Sequence, residues 1–192
     1  MQKTIENPLL SGRVDRSSGG VMAEEGLSEL IIPAVPGEFY AYPAKFTKDK
    51  PLYVLMKCKS NKARSIVDAK ILGCEANLLF LFSNPIHMQI CSVKVAHTFG
   101  LLGDSINDES FGETWVAPTQ ITLEDFYEIC AQKDVATLVE LCQSACSEKK
   151  ASVTLESGMV VAIMTDGGKY GLFLIKELTP ALIKIDACHI LV

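Results

Sequence analysis

Tryptophan occurs once and histidine three times in 192 residues, and no two of the seven cysteines form a C-x-x-C pair. Each scarcity excludes something. Any histidine-dependent chemistry must run through His87, His97 or His189. Without C-x-x-C, the thiol spacing of zinc ribbons and dithiol redox motifs is missing. Cys58, Cys74, Cys91, Cys130, Cys142, Cys146 and Cys188 are an odd, scattered set in apolar stretches, which suits reduced thiols rather than a disulfide framework. No run approaches the roughly 18 apolar residues of a membrane span. The opening MQKTIENPLL has no apolar core of a secretory signal, so the expected location is the cytoplasm. A basic excess is also lacking. Eighteen Lys and Arg stand against 23 Asp and Glu, a net charge of −5, which disfavours a dedicated nucleic-acid binder.

What is present is apolar. Such residues make up 48% of the chain, and the mean hydropathy is +0.24. That excess favours an oligomer or a docking surface.

Residues 1–20 end in SGRVDRSSGG and show no hydrophobic period, so a flexible N-terminal tail is expected. A first β-rich half spans 21–98, with strand-like runs PLYVLMKCK, SIVDAKIL, NLLFLF and MQICSVKVAH. Residues 99–120 hold three glycines and a proline and read as a connecting loop. Residues 121–192 read as a helical segment followed by a second β-rich half. Thr122 with Asp125 three positions on is a capping signal, and Asp134 is placed to cap a second helix. In the last strand Ile183, Ile185 and Ala187 alternate with Lys184 and Asp186, the pattern of a half-buried strand. Asp166-Gly167-Gly168 is hairpin-turn chemistry.

Val67–Phe82 and Val160–Ile175 align at an offset of 93 with five identities in sixteen positions, including a shared Leu-Phe-Leu. This marks a candidate internal duplication. Similar strand composition in two unrelated hairpins would look the same. Either way the expected fold is α+β, two antiparallel β-meanders with a helical segment between them.

No catalytic or cofactor motif stands out, and no metal site or cofactor is expected. Cys91 and His97, if on one strand, lie roughly 20 Å apart at ~3.3 Å per residue. Cys142 and Cys146 share a helical face, yet no further ligand nearby completes a zinc set. Asp104, Asp108, Glu109 and Glu113 miss the calcium-loop pattern.

Charge is segregated. Residues 45–70 carry eight basic and two acidic side chains, while residues 101–128 carry seven acidic and no basic ones. Lys57, Lys59, Lys62 and Arg64 form a candidate ridge for an anion or a partner. Three function classes follow. The first is a non-catalytic interaction or assembly module whose partner is a protein or a second copy of the chain. The second is an enzyme or small-ligand protein with a crevice between the β-rich halves, lined by Trp115, Tyr170 and His97. The third is anion or nucleic-acid binding through the 45–70 hairpin. The lack of an aromatic ladder beside the lysines disfavours nucleic acid.

Overall fold

Every residue from Gly171 to Ile175 is buried. Successive side chains of a strand point to opposite faces, so the sheet that holds this run must be covered on both sides. The computed structural model, which describes residues 35–53, 77–82, 88–102 and 112–192, shows how. The elements are β1 (Tyr40–Thr47), β2 (Leu52–Tyr53), β3 (Leu78–Leu81), β4 (Gln89–Ser92), α1 (Val93–Thr98), β5 (Thr114–Pro118), α2 (Leu123–Gln132), α3 (Val135–Ala145), β6 (Ser152–Thr154), β7 (Val160–Thr165), β8 (Lys169–Thr179) and β9 (Leu182–Leu191). They form a five-stranded sheet in the order β1-β9-β8-β7-β5 and a four-stranded sheet in the order β2-β3-β4-β6. Each neighbouring pair is antiparallel. The class is α+β, as expected.

One face of the larger sheet packs on the smaller sheet. Phe46, Phe173, Ile175, Ile183, Ile185 and Ala187 meet Leu78, Phe80 and Ile90 there. The other face carries α2 and α3. Leu172, Leu174, Cys188 and Ile190 of the strands pack with Phe126, Ile129, Leu138 and Cys142 of the helices. The far side of the smaller sheet is covered in part by α1, through Leu79, Cys91, Val93, Ala96 and Leu102. Each fully buried Leu, Ile or Phe contributes roughly 1.5–3 kcal/mol relative to exposure, so the two-sided β8 and β9 are the thermodynamic centre of the fold.

Each sheet draws one strand from the other half of the chain. β1 pairs with β9 along its whole length, from Tyr40 opposite His189 to Thr47 opposite Leu182. β6 pairs with β4. β1 is the outer strand of its sheet, and Pro43 at its middle has no N–H to offer a further strand.

Local chemistry explains the helices. Thr122 and Asp125 form a reciprocal capping box on α2, with Asp125 N donating to Thr122 Oγ1 (3.1 Å) and Thr122 N donating to Asp125 Oδ2 (2.8 Å). Asp134 caps α3 by accepting from Thr137 N at 3.1 Å. The two helices are therefore separate, joined through Lys133 in a left-handed conformation (φ 53°).

Two segments differ from the sequence reading. Val93–Thr98 is the helix α1, not a continuation of the preceding strand. The β-branched Val93 and Val95 favour a strand locally. Ser92 Oγ accepts from Val95 N at 3.2 Å and starts the turn. Gly100 (φ 69°) ends it, with Leu101 N donating to Ala96 O at 3.0 Å. Burial of Val93 and Ala96 then holds one short helix that would not persist alone. Thr114–Pro118, inside the expected loop, is β5, paired with β7 through Trp115 opposite Met164 and Val116 opposite Ile163.

Candidate functional site

The outer surface of α2 brings together three features. Buried Phe126 and Ile129 anchor the helix to the sheet, and Leu123 (46% exposed) and Tyr127 (42% exposed) lie exposed on the flank of that anchoring face, where Tyr127 reaches Asp186 of β9. These are i, i+4 neighbours and form one apolar strip.

To one side lies a cleft of about 430 Å³ between α2 and α3, lined by Asp125, Glu128, Asp134, Ile121, Ile129 and Leu141 among others. Its three carboxylates have no basic side chain among the lining residues. Asp125 and Asp134 are held below the ordinary carboxylate value. The cause in each case is hydrogen bonding at a helix start, first from the backbone and then from the side chain of Thr122 and Thr137 respectively.

To the other side lies a groove of about 300 Å³ on the uncovered part of β1, β8 and β9, lined by Lys45, Lys176, Lys184 and Asp186 with Pro43, Ala44 and Ile185. Lys45 and Lys184 are direct cross-strand partners. Like charges placed opposite one another repel, and the nearby carboxylates offset this. Lys176 Nζ lies 3.0 Å from Asp186 Oδ2 and Lys184 Nζ lies 2.5 Å from Glu177 Oε2. Tyr127 Oη donates to Asp186 Oδ2 at 2.8 Å, so the apolar strip and the groove share a wall. That hydrogen bond raises the Tyr127 phenol above its usual value, and Asp186 raises Lys176.

Of the residues singled out from sequence, Lys57, Lys59, Lys62 and Arg64 lie outside the described residues. Lys45, the first lysine of the same basic stretch, is in the groove. Trp115 on β5 and Tyr170 on β8 share one cross-strand row through Met164. Both are half-buried on the α3 side, where Lys149 Nζ sits 4.9 Å from the Trp115 ring centre and Gln143 Nε2 lies 3.4 Å from Tyr170 Oη. His97 is in the last turn of α1, on the far side of the smaller sheet. The structure therefore joins Trp115 to Tyr170 and leaves His97 apart from both.

Two further groups were not among the site residues singled out from sequence. His189 on β9 is 2% exposed and faces the space between the sheets. Its Nδ1 lies 2.8 Å from Tyr42 Oη, and its Nε2 is buried without a hydrogen-bond partner among the described residues. Gly171 is its cross-strand neighbour on β8, which leaves that side of the ring without an opposing side chain. Burial holds the imidazole down at about 3.

The described cysteines are all free thiols. Burial pushes Cys91 and Cys146 up to about 11 and Cys142 up to about 12. Cys130 differs, because a hydrogen bond from the Cys188 thiol lowers it. Among the described residues no group of three or more His, Cys, Asp or Glu is placed to hold a metal ion, and no helix is long and apolar enough to cross a membrane. The chain matches no family model, no curated protein and no solved structure.

Proposed function

We propose that the chain is a non-catalytic assembly module that associates with a second copy of itself through the outer face of α2. The observation that carries this reading is the order of features across that face: an acidic cleft, the Leu123–Tyr127 strip, then a lysine-lined groove. Under a two-fold axis through the strip, Leu123 and Tyr127 of one copy meet those of the other. The Asp125, Glu128 and Asp134 side of each copy then faces the Lys45, Lys176 and Lys184 side of its partner. A closed two-fold contact requires this self-complementarity. Aromatic and apolar groups at the centre with charges at the rim are the usual anatomy of such an interface. The free state of the described thiols supports a reducing, cytoplasmic setting for it.

Sedimentation velocity across a salt series tests the reading. The Debye length falls from about 10 Å at 0.1 M salt to about 3 Å at 1 M, so the dimer is expected at low salt and should weaken at high salt. Glu128→Lys or Lys184→Glu alone should weaken it, and the two together should restore it. A chain that is monomeric across the whole series, or a double variant no better than either single one, rules the reading out.

A second reading is a small-ligand site between the two sheets. It is favoured by the buried Nε2 of His189, which has no hydrogen-bond partner among the described residues. Nitrogen NMR of the His189 ring during a screen of small oxygen-bearing fragments tests it. A resonance that moves with none of them removes the idea.

A further inference from the structure

β8 carries one irregularity. Ile175 lies opposite Ile185 and Glu177 opposite Lys184, so Lys176 is the extra residue of a β-bulge. Ile175 and Leu178 both pack toward the smaller sheet although they are three apart. A regular strand would send them to opposite faces. The bulge therefore turns two consecutive residues, Lys176 and Glu177, to the outer face of the larger sheet. Two rows of side chains result across β8, β9 and β1. The first is Glu177, Lys184 and Lys45, and the second is Lys176, Asp186 and Pro43.

Four of these side chains form a checkerboard of charge. Lys184 pairs with Glu177 and Lys176 with Asp186, and Asp186 also accepts from Tyr127 Oη. Lys45 is the fifth charge and is left over. It stands directly opposite Lys184 and has no ion-pair partner among the described residues. Pro43, two residues before it on the same outermost strand, supplies neither a charge nor an N–H. Three lysines against Asp186 and Glu177 leave the groove at 3 − 2 = +1.

We propose that this groove binds a small monocarboxylate with a compact apolar body, the carboxylate bridging Lys45 and Lys184 and the body lying along Pro43. An ammonium has three donors, so Lys184 can hold Glu177 and the ligand together. The bridging anion offsets the repulsion between two like charges placed opposite one another, and its single charge matches the single excess. At about 300 Å³, with Pro43, Ala44 and Ile185 as apolar lining, the groove is at the lower end of small-molecule sites. That size suits a benzoate-sized ligand and not a long acyl chain. The same lysines meet the partner's carboxylates in the self-association proposed above, but the ligand site is complete within one copy.

The test is amide NMR of the full chain titrated with sodium benzoate, and in parallel with sodium acetate and with benzyl alcohol, at one ionic strength. The titration is repeated in Glu128→Lys, which leaves the groove open if copies of the wild type associate. Benzoate should give saturating shifts centred on Lys45, Lys184 and Ile185. Acetate has the charge without the body and benzyl alcohol the body without the charge, so both should bind more weakly. Lys45→Ala, a change at an exposed position, should weaken benzoate about two- to fivefold, and Lys149→Ala, outside the groove, should leave it unchanged. The proposal is overturned if benzoate gives no saturating shift in either chain, if acetate or benzyl alcohol binds as well, or if Lys45→Ala has no effect. Sedimentation of the same samples reads association separately. A chain that binds benzoate as a monomer upholds the ligand site and removes only the assembly reading.

Discussion

Tyr42 Oη lies 2.8 Å from His189 Nδ1, and the two rings meet edge to face with centroids 5.2 Å apart. With Tyr40 also against the imidazole, at 5.0 Å, the ring is enclosed by aromatics and excluded from water. The neutral form fits this environment and the cation does not.

Stability should therefore fall on mild acidification. The His189 value is about 3 in the folded chain, against an ordinary 6.5 when unfolded. Between those values the unfolded chain binds the extra proton, so stability is complete above roughly pH 6.5 and declines as pH falls toward about 3. At pH 5 the deficit is 1.5 pH units below the unfolded value, worth about 2 kcal/mol. The lowered carboxylates Asp125 and Asp134 add to acid sensitivity only from about their ordinary value of 3.8 downward, so pH 5 isolates the histidine from them. Urea unfolding at pH 7.5 and pH 5 should show this loss in the wild type and a flatter dependence in His189→Gln. Equal pH dependence in the two proteins would refute the assignment.

Phe80 and Phe173 should be coupled. Their rings lie 6.5 Å apart with planes 10° from parallel, and Phe46 stacks on Phe80 at 4.0 Å. All three are fully buried and join β1, β3 and β8 across the space between the sheets. Truncation of either Phe80 or Phe173 to alanine should cost roughly 3–5 kcal/mol. The double variant should cost less than the sum, because the second truncation enlarges a void already made. Chemical denaturation of the three variants measures this, and strict additivity would show that the rings act independently.

The same two residues show what was legible in advance. They occupy matching places in the two Leu-Phe-Leu runs, and the flanking leucines behave alike. Leu79 points to the α1 side of its sheet and Leu172 and Leu174 to the α2–α3 side of theirs. Period-two alternation is local information, so the strands, like the Thr122 and Asp134 caps, could be read directly. A common origin of the two runs does not follow from this shared placement, which any pair of facing strands would adopt. Less was visible where non-local pairing decides. No local feature of Tyr40–Thr47 says that its neighbour is β9, nearly the whole chain away. The Tyr127–Asp186 hydrogen bond likewise needs α2 laid across β9, and their sequence positions carry no sign of it. For the candidate surface, the acidic stretch was readable as charge. Its lysine-lined counterpart was not, because Lys176 and Lys184 reach Lys45 only through strand pairing.

Gly168 should tolerate a side chain poorly, and Gly167 should tolerate one well. The turn between β7 and β8 closes through Gly168 N donating to Thr165 O at 3.2 Å and Lys169 N donating to Thr165 Oγ1 at 3.2 Å. Of the Asp166-Gly167-Gly168 stretch only Gly168 has a positive φ, at 73°. An added Cβ there would also stand 2.9 Å from Val192 O, a backbone atom held close because Val192 N donates to Gly168 O at 3.0 Å. At Gly167 the nearest atom to an added Cβ is Thr165 Oγ1 at 3.8 Å, an ordinary contact, and φ is not in the left-handed range. Gly168→Ala combines conformational strain of order 1 kcal/mol with displacement of the Val192 backbone, for about 1–2 kcal/mol in all. Gly167→Ala should stay within about 0.5 kcal/mol of the wild type. Val192 is exposed and follows the last strand residue, so removing it should recover part of the Gly168→Ala loss. Thermal unfolding of the two single variants and of Gly168→Ala without Val192 separates the contributions. If the truncation recovers nothing, the cost at Gly168 is backbone strain alone.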